Sequence, residues 1–272
     1  MGEGLIASLL AGVANGRAGV LATVIATSRS VPRRPGSKMI VWGDGTTSGT
    51  IGGGMMEARV VTESEAALAD GFTRLITYDL VDPSRGDPGV CGGTVTVYLE
   101  PYMPTPTVFV IGCGHVGKAV VELAHWLGFR VVAFDDRAEL VSGDAVPLAD
   151  VRVTGTIADA LSVAPITTET HVVLVTRNVA VDLELLPILV ATPARSIGVM
   201  GSGRRWQTTL SALADAGVRP EALVRVTSPV GLELGAETPE EIAVSILAEI
   251  IAVRNGVALT QKKPLATVDA GR

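Results

Sequence analysis

Sulfur, histidine, aromatic mass and positive charge are all scarce in this sequence. The 272 residues include two cysteines, Cys91 and Cys113, and three histidines. Two cysteines exclude a disulfide framework and a four-cysteine zinc site, and each adjoins glycine, where a staple would be an odd choice. A reducing compartment follows. Four Phe, three Trp and three Tyr leave the apolar mass, 47% of the chain, almost entirely aliphatic. The formal charge of −6 excludes an overall basic field that would draw the chain to nucleic acid or anionic lipid. Any anion site has to be local. No uncharged apolar run approaches the ~18 residues of a membrane span. The N-terminal stretch carries Glu3 where a signal peptide has its positive region. The expectation is a cytoplasmic protein with no membrane span and no nucleic-acid partner.

What is abundant is glycine, 31 residues gathered in a few short stretches without a period, which marks tight backbone sites. The pattern predicts an α/β chain of two domains: a smaller mixed α/β domain over 1–103 and a Rossmann-like parallel-sheet domain over 104–272. Leu5, Ile6, Leu9, Leu10 and Val13 predict an amphipathic first helix. LATVIATS, KMIVW, FTRLITYDL and TVTVYLE read as strands. Among them one helix starts after Gly52 to Gly54 and ends near Gly71. Pro101, Pro104 and Pro106 form the linker candidate. Beyond it, continuously apolar strands alternate with helical patterns, as in a parallel sheet covered on both faces. The last helix has Thr238 as cap, Pro239 at its first position, Glu241 completing a capping box, and Ile242, Ile246 and Ile250 as its buried stripe.

Gly112, Gly114 and Gly117 fall in GxGxxG spacing between an apolar strand and a helix, with Asp135 closing a second apolar strand. That context suits a dinucleotide site. Gly112 would make the tight turn, Gly114 admit a pyrophosphate, and Gly117 let the helix lie on the strand. Asp135 would accept from a ribose hydroxyl. Cys113 and His115 lie inside the turn, and Cys113 reads as a small packing residue. Asp136 repels a 2′-phosphate and Arg137 can receive one, so NAD and NADP both stay open as ligands. The alternative is a turn that is only architectural.

Two further stretches suit anions. Arg29, Arg33, Arg34 and Lys38 stand within ten residues with no acid among them, on a loop stiffened by prolines, and guanidinium forks match phosphate oxygens. An ordinary solvated charge run is the alternative. Gly52, Gly53 and Gly54 lead into a helix whose first-turn N–H groups form an anion site. Glu57, in that turn, either caps backbone groups or orients a ligand. A third glycine stretch, DPGVCGG, places Cys91 before a strand.

The stretches SVPRRPGSKMIV, GTIGGGMMEA, VCGGTVTVYLEP, FVIGCGHVGKAV, VVAFDDR, SIGVMGSGRR and GLELGAETPEEIAVSILAEIIAVRNG together resemble the XdhC/CoxI family. Its members are accessory proteins in the maturation of xanthine dehydrogenase and related molybdenum hydroxylases. The resemblance covers the chain from about Leu21 to Gly256. It implies a small N-terminal XdhC/CoxI domain, a C-terminal Rossmann domain, and binding of the molybdenum cofactor as a mono- or dinucleotide pterin. It further implies protection of that cofactor during sulfuration and delivery to an apo hydroxylase of the xanthine or CO dehydrogenase type. A sulfur-donating desulfurase and a second copy of the chain, as a homodimer, are the other expected partners.

The family usually has cysteine where this chain has Met55, and a His-Asp pair where it has Arg177 and Asn178. A thioether is no thiolate ligand or persulfide carrier, so Cys91 is left as the candidate metal ligand. A competing expectation is an NAD(P)-dependent oxidoreductase, which needs a proton-transfer residue from a chain whose histidines are His115, His125 and His171. A third is a nucleotide-sensing paralogue that has lost molybdenum handling.

Overall fold

The computed structural model describes residues 2–29, 31, 33–79 and 93–257; Cys91 lies outside them. The chain divides between Thr105 and Pro106 into two compact units.

The first unit runs α1 (Gly2–Ala14), β1 (Gly19–Ser28), β2 (Lys38–Trp42), β3 (Thr47–Gly49), α2 (Gly54–Asp70), β4 (Arg74–Asp79) and β5 (Thr94–Tyr102). Its strands form an antiparallel sheet in the order β3-β2-β1-β5-β4. Alternation along the strands divides their side chains between two faces. Met56, Val60 and Ala67 of α2 pack with Val20, Val24, Met39, Val41, Val97 and Leu99. Leu9 of α1 packs with Leu21, Ile40 and Trp42 from the opposite pleat. Gly12 is required there, because a Cβ would sit 2.3 Å from the Trp42 ring. The stripe of α1 is narrower than its sequence predicts. Leu5, Leu9 and Val13 face the sheet, whereas Ile6 and Leu10 are 40% and 56% exposed. Gly71 closes α2 in the left-handed region.

Pro101 belongs to β5 and not to a linker. It pairs opposite Val20, and β4 ends opposite Leu99, so β1 is its one flanking strand. A missing N–H is tolerated on such an open edge.

The second unit runs β6 (Thr107–Ile111), α3 (His115–Trp126), β7 (Arg130–Phe134), β8 (Val151–Val153), α4 (Ile157–Val163), β9 (Thr170–Leu174), α5 (Val179–Leu189), β10 (Ser196–Val199), α6 (Gly203–Asp215), α7 (Pro220–Leu223), β11 (Val226–Thr227) and α8 (Pro239–Arg254). These strands are parallel, in the order β11-β10-β9-β6-β7-β8. The two central strands β6 and β9 are buried along their whole length, as a sheet covered on both faces requires. Val108 and Val110 pack toward α3 and α8, and Phe109 and Ile111 toward α4, α5 and α6. The capping box of α8 forms as predicted, with Thr238 accepting from Glu241 N and the Glu241 carboxylate from Thr238 N. No helix among the described residues is long and apolar enough to cross a membrane.

Candidate functional site

Neighbouring strands β6 and β9 are far apart in the chain, and their connections leave in opposite directions. Beyond their carboxyl ends such a sheet opens a crevice for ligands. The turn after β6 supplies the first element of a site there. Gly112 has φ 97°, a conformation that glycine adopts at no steric cost. A Cβ on Gly117 would lie 1.9 Å from the Gly112 carbonyl oxygen, which is the close helix-on-strand approach that the spacing predicts. Gly114, by contrast, faces open space.

Gly114 stands at the N-cap of α3 and supplies no side-chain cap. Thr156, Asn178, Ser202 and Thr238 cap α4, α5, α6 and α8 with their own side chains. The first turn of α3 also holds no acid, so its N–H groups and dipole favour an external anion. His115 is exposed in that turn.

Asp135 does not stand ready for a ribose as the sequence predicts. It is 3% exposed, and its oxygens accept from Cys113 N (2.8 Å), Arg137 N (3.0 Å), Arg137 Nε (2.8 Å) and Arg137 Nη2 (2.9 Å). All four donors are the protein's own, so the carboxylate braces the glycine turn. Cys113 is buried, and burial pushes its thiol up to about 12. It packs as expected and offers no thiolate.

The next residue is the accessible carboxylate. Asp136 accepts both Nη atoms of Arg177 at 2.8 Å, with side chains 52% and 43% exposed. The Arg177 fork holds the Asp136 carboxyl well below the usual carboxylate range. Asn178 caps α5 by accepting from Val181 N. A cavity of about 110 Å³ opens beside this pair, between the ends of β6, β7 and β9 and the first turns of α4 and α5.

One network escaped the sequence reading. Arg205, in the first turn of α6, reaches Asp182 Oδ2 at 2.6 Å and Thr176 Oγ1 at 2.9 Å, and Thr176 Oγ1 donates to Asp182 Oδ1. Asp182 is wholly buried. The available signal was the second of two arginines following Gly201-Ser202-Gly203 at the end of an apolar strand.

In the first unit, Glu57 Oε1 accepts from Thr50 Oγ1 (2.6 Å), Ile51 N (3.0 Å), Gly52 N (3.3 Å) and Gly53 N (2.9 Å). The amides of Gly52 and Gly53 predicted to meet an anion are therefore held by the chain's own carboxylate. Burial raises the Glu57 pKa, but these hydrogen bonds outweigh it and hold the group below its ordinary value. Gly54 begins α2 and Met55 is exposed. Arg33 and Arg34 are exposed, and their side chains make no hydrogen bond or ion pair among the described residues. Nor do the described residues contain a cluster of three or more His, Cys, Asp or Glu able to hold a metal ion.

Residues 13–79 match the XdhC and CoxI family, and residues 108–250 match the XdhC Rossmann domain. The chain is 35% identical over 240 residues to the uncharacterized protein YqeB of Escherichia coli K12, covering 86% of this chain and 43% of that protein. It is 32% identical over 166 residues to a Bacillus subtilis 168 protein described as a probable subunit of xanthine dehydrogenase, covering 61% of this chain and 48% of that one. It thus spans less than half the length of these two relatives. With the molybdenum cofactor insertion chaperone PaoD of E. coli K12 it shares 24% identity over 269 residues, 88% of this chain and 85% of the chaperone. A solved structure described as a xanthine dehydrogenase from Bacillus halodurans superposes with a TM-score of 0.51 at 23% identity, covering 95% of this chain and 98% of the other, a likeness of fold. With the Rossmann match alone taking in more than half of its residues, this chain belongs to the XdhC and CoxI family.

Proposed function

We propose that this chain holds the molybdenum cofactor, assists its sulfuration, and delivers it to an apo molybdenum hydroxylase of the xanthine or CO dehydrogenase type. The names of PaoD and of the B. subtilis relative support this direction. The observation that carries it is the first turn of α3, which has no side-chain cap, no acid and open space at Gly114. The cofactor is a pterin ending in a phosphate or a nucleotide, and those N–H groups suit its anionic end.

In the first unit, Arg33 and Arg34 are exposed cations whose side chains have no partner among the described residues; in the second, Cys113 is buried as a neutral thiol. Direct contact with the metal or its sulfido ligand therefore falls to Cys91, with a desulfurase as the sulfur source. A soluble cytoplasmic homodimer completes this reading.

The test is protein purified anaerobically from a molybdenum-replete host, with its small molecules identified by mass spectrometry. A bound pterin is the expected result, absent from Gly114→Val, whose branched side chain obstructs the anion's approach. A nicotinamide nucleotide in its place would mark an oxidoreductase, and an empty protein would overturn the holding role.

A further inference from the structure

Among the described residues the two sheets have four edge strands, and three of them are very short. β3 has three residues, β8 three and β11 two. The fourth, β4, has six. An edge strand leaves alternate N–H and C=O groups without a ladder partner, and native chains blunt such edges by shortness, proline, a bulge or charge. The middle of β4 has none of these. Its register with β5 runs unbroken from Arg74 opposite Leu99 to Asp79 opposite Thr94, and Leu75 to Tyr78 include neither proline nor a charged residue. Where β5 runs on past β4, its open edge carries Pro101.

The side chains of β4 match this open backbone. Ile76 and Tyr78 face the α2 core, while Leu75 is 65% exposed and Phe72, just ahead of the strand, is exposed as well. Thr77 is exposed and bonded to Thr96 at 3.2 Å. Charge sits at the two ends. Arg74 is neutralised by Asp70, its Nη2 donating to Asp70 Oδ2 at 2.7 Å, and Asp79 closes the strand as an exposed carboxylate. A second β4 laid antiparallel keeps the two Asp79 carboxylates at opposite ends of the joint, whereas a parallel one sets them side by side at a cost.

We propose that β4 is joined antiparallel by β4 of a second copy of this chain, so that two five-stranded sheets become one of ten strands. The occupant follows from closure. A two-fold axis through the joint uses both long edges at once and leaves β3, three residues long, at each outer edge, so that assembly stops at two copies. A single added strand from elsewhere would present a new open edge in place of the old one. The inference rests on the homodimer in the reading above and deepens it by naming the surface on which the copies meet.

Sedimentation velocity of the full chain over a concentration series tests this, with two double variants. Leu75→Lys with Thr77→Lys, and Leu75→Glu with Thr77→Glu, put like charges at exposed positions that the two-fold sets against their counterparts. Each variant should raise the dimer dissociation constant at least about tenfold, and an equimolar mixture of the two should recover the dimer. Amide exchange of the parent should slow in β4 and stay constant in β3 as concentration rises through the dissociation constant, a readout independent of how the variants fold. A monomeric parent would overturn both the homodimer and this interface. A dimer preserved in both variants, a mixture that stays monomeric, or β4 exchange indifferent to concentration would overturn the interface and leave the homodimer standing. Cofactor holding is decided separately, by the mass spectrometry above.

Discussion

Arg205 Nη2 lies 2.6 Å from the wholly buried Asp182 Oδ2, an ion pair that fastens the first turn of α6 to the first turn of α5. Removing one partner of a buried pair leaves the other charge uncompensated, at a cost of about 3 kcal/mol. Asp182→Ala should therefore lower the urea midpoint substantially. Asp136→Ala, which breaks the exposed pair with Arg177, should cost under about 1 kcal/mol. Equal losses in the two variants would show that burial does not set the strength of the Asp182 pair.

Gly117 and Gly114 should separate folding from binding. A Cβ at 117 meets the Gly112 backbone carbonyl, which cannot rotate away as a side chain would. Gly117→Ala should cost about 3 kcal/mol or more. Gly114 has φ −69° and no atom near its Cβ direction, so Gly114→Ala should stay within about 0.5 kcal/mol of the parent. Thermal melts followed by circular dichroism compare the two.

His171 sets an acid limit on stability. It is fully buried, and burial, then Arg195 and Arg254, push its pKa down from 6.5 to about 4. The unfolded chain thus takes up this proton first as pH falls. Stability from this residue is complete above about pH 6.5 and is lost progressively toward pH 4, by up to about 3 kcal/mol. In His171→Asn the stability difference between pH 7 and pH 4 should shrink by about that amount. An unchanged difference in chemical denaturation would show that His171 does not carry it.

The basic loop should matter to ligand and not to fold. Arg33→Ala with Arg34→Ala removes two exposed side chains without partners among the described residues, so the melting temperature should hold. Retention of the anionic cofactor should weaken by about 1 to 3 kcal/mol per lost charged contact. Undiminished retention would remove the loop from the site, and a lowered melting temperature would assign it a structural role.

Legibility in the sequence followed how local each signal was. The Gly112 to Gly117 turn and the α8 capping box are written within a few residues, and both form as read. Asp135 was found by spacing, but spacing could not show that Arg137 and the Cys113 amide would claim its oxygens and leave Asp136 as the accessible acid. Ile6 and Leu10 looked apolar enough to be buried, yet one sheet face under α1 takes only the residues spaced four apart. The Thr176, Asp182 and Arg205 network draws on the end of β9, α5 and α6. The arginines after Gly201-Ser202-Gly203 are its one local signal, and nothing local ties them to Thr176 or Asp182, because their common environment exists only after the sheet has assembled. The strands β3, β8 and β11, of three, three and two residues, are too short to show alternation.

The grip of Asp135 on both the Cys113 amide and the Arg137 guanidinium joins the glycine turn to the cavity rim as one mechanical body. Neither can shift without pulling the other through a buried carboxylate. Substitutions in the turn and on the rim therefore do not act independently, and their effects on stability will not sum.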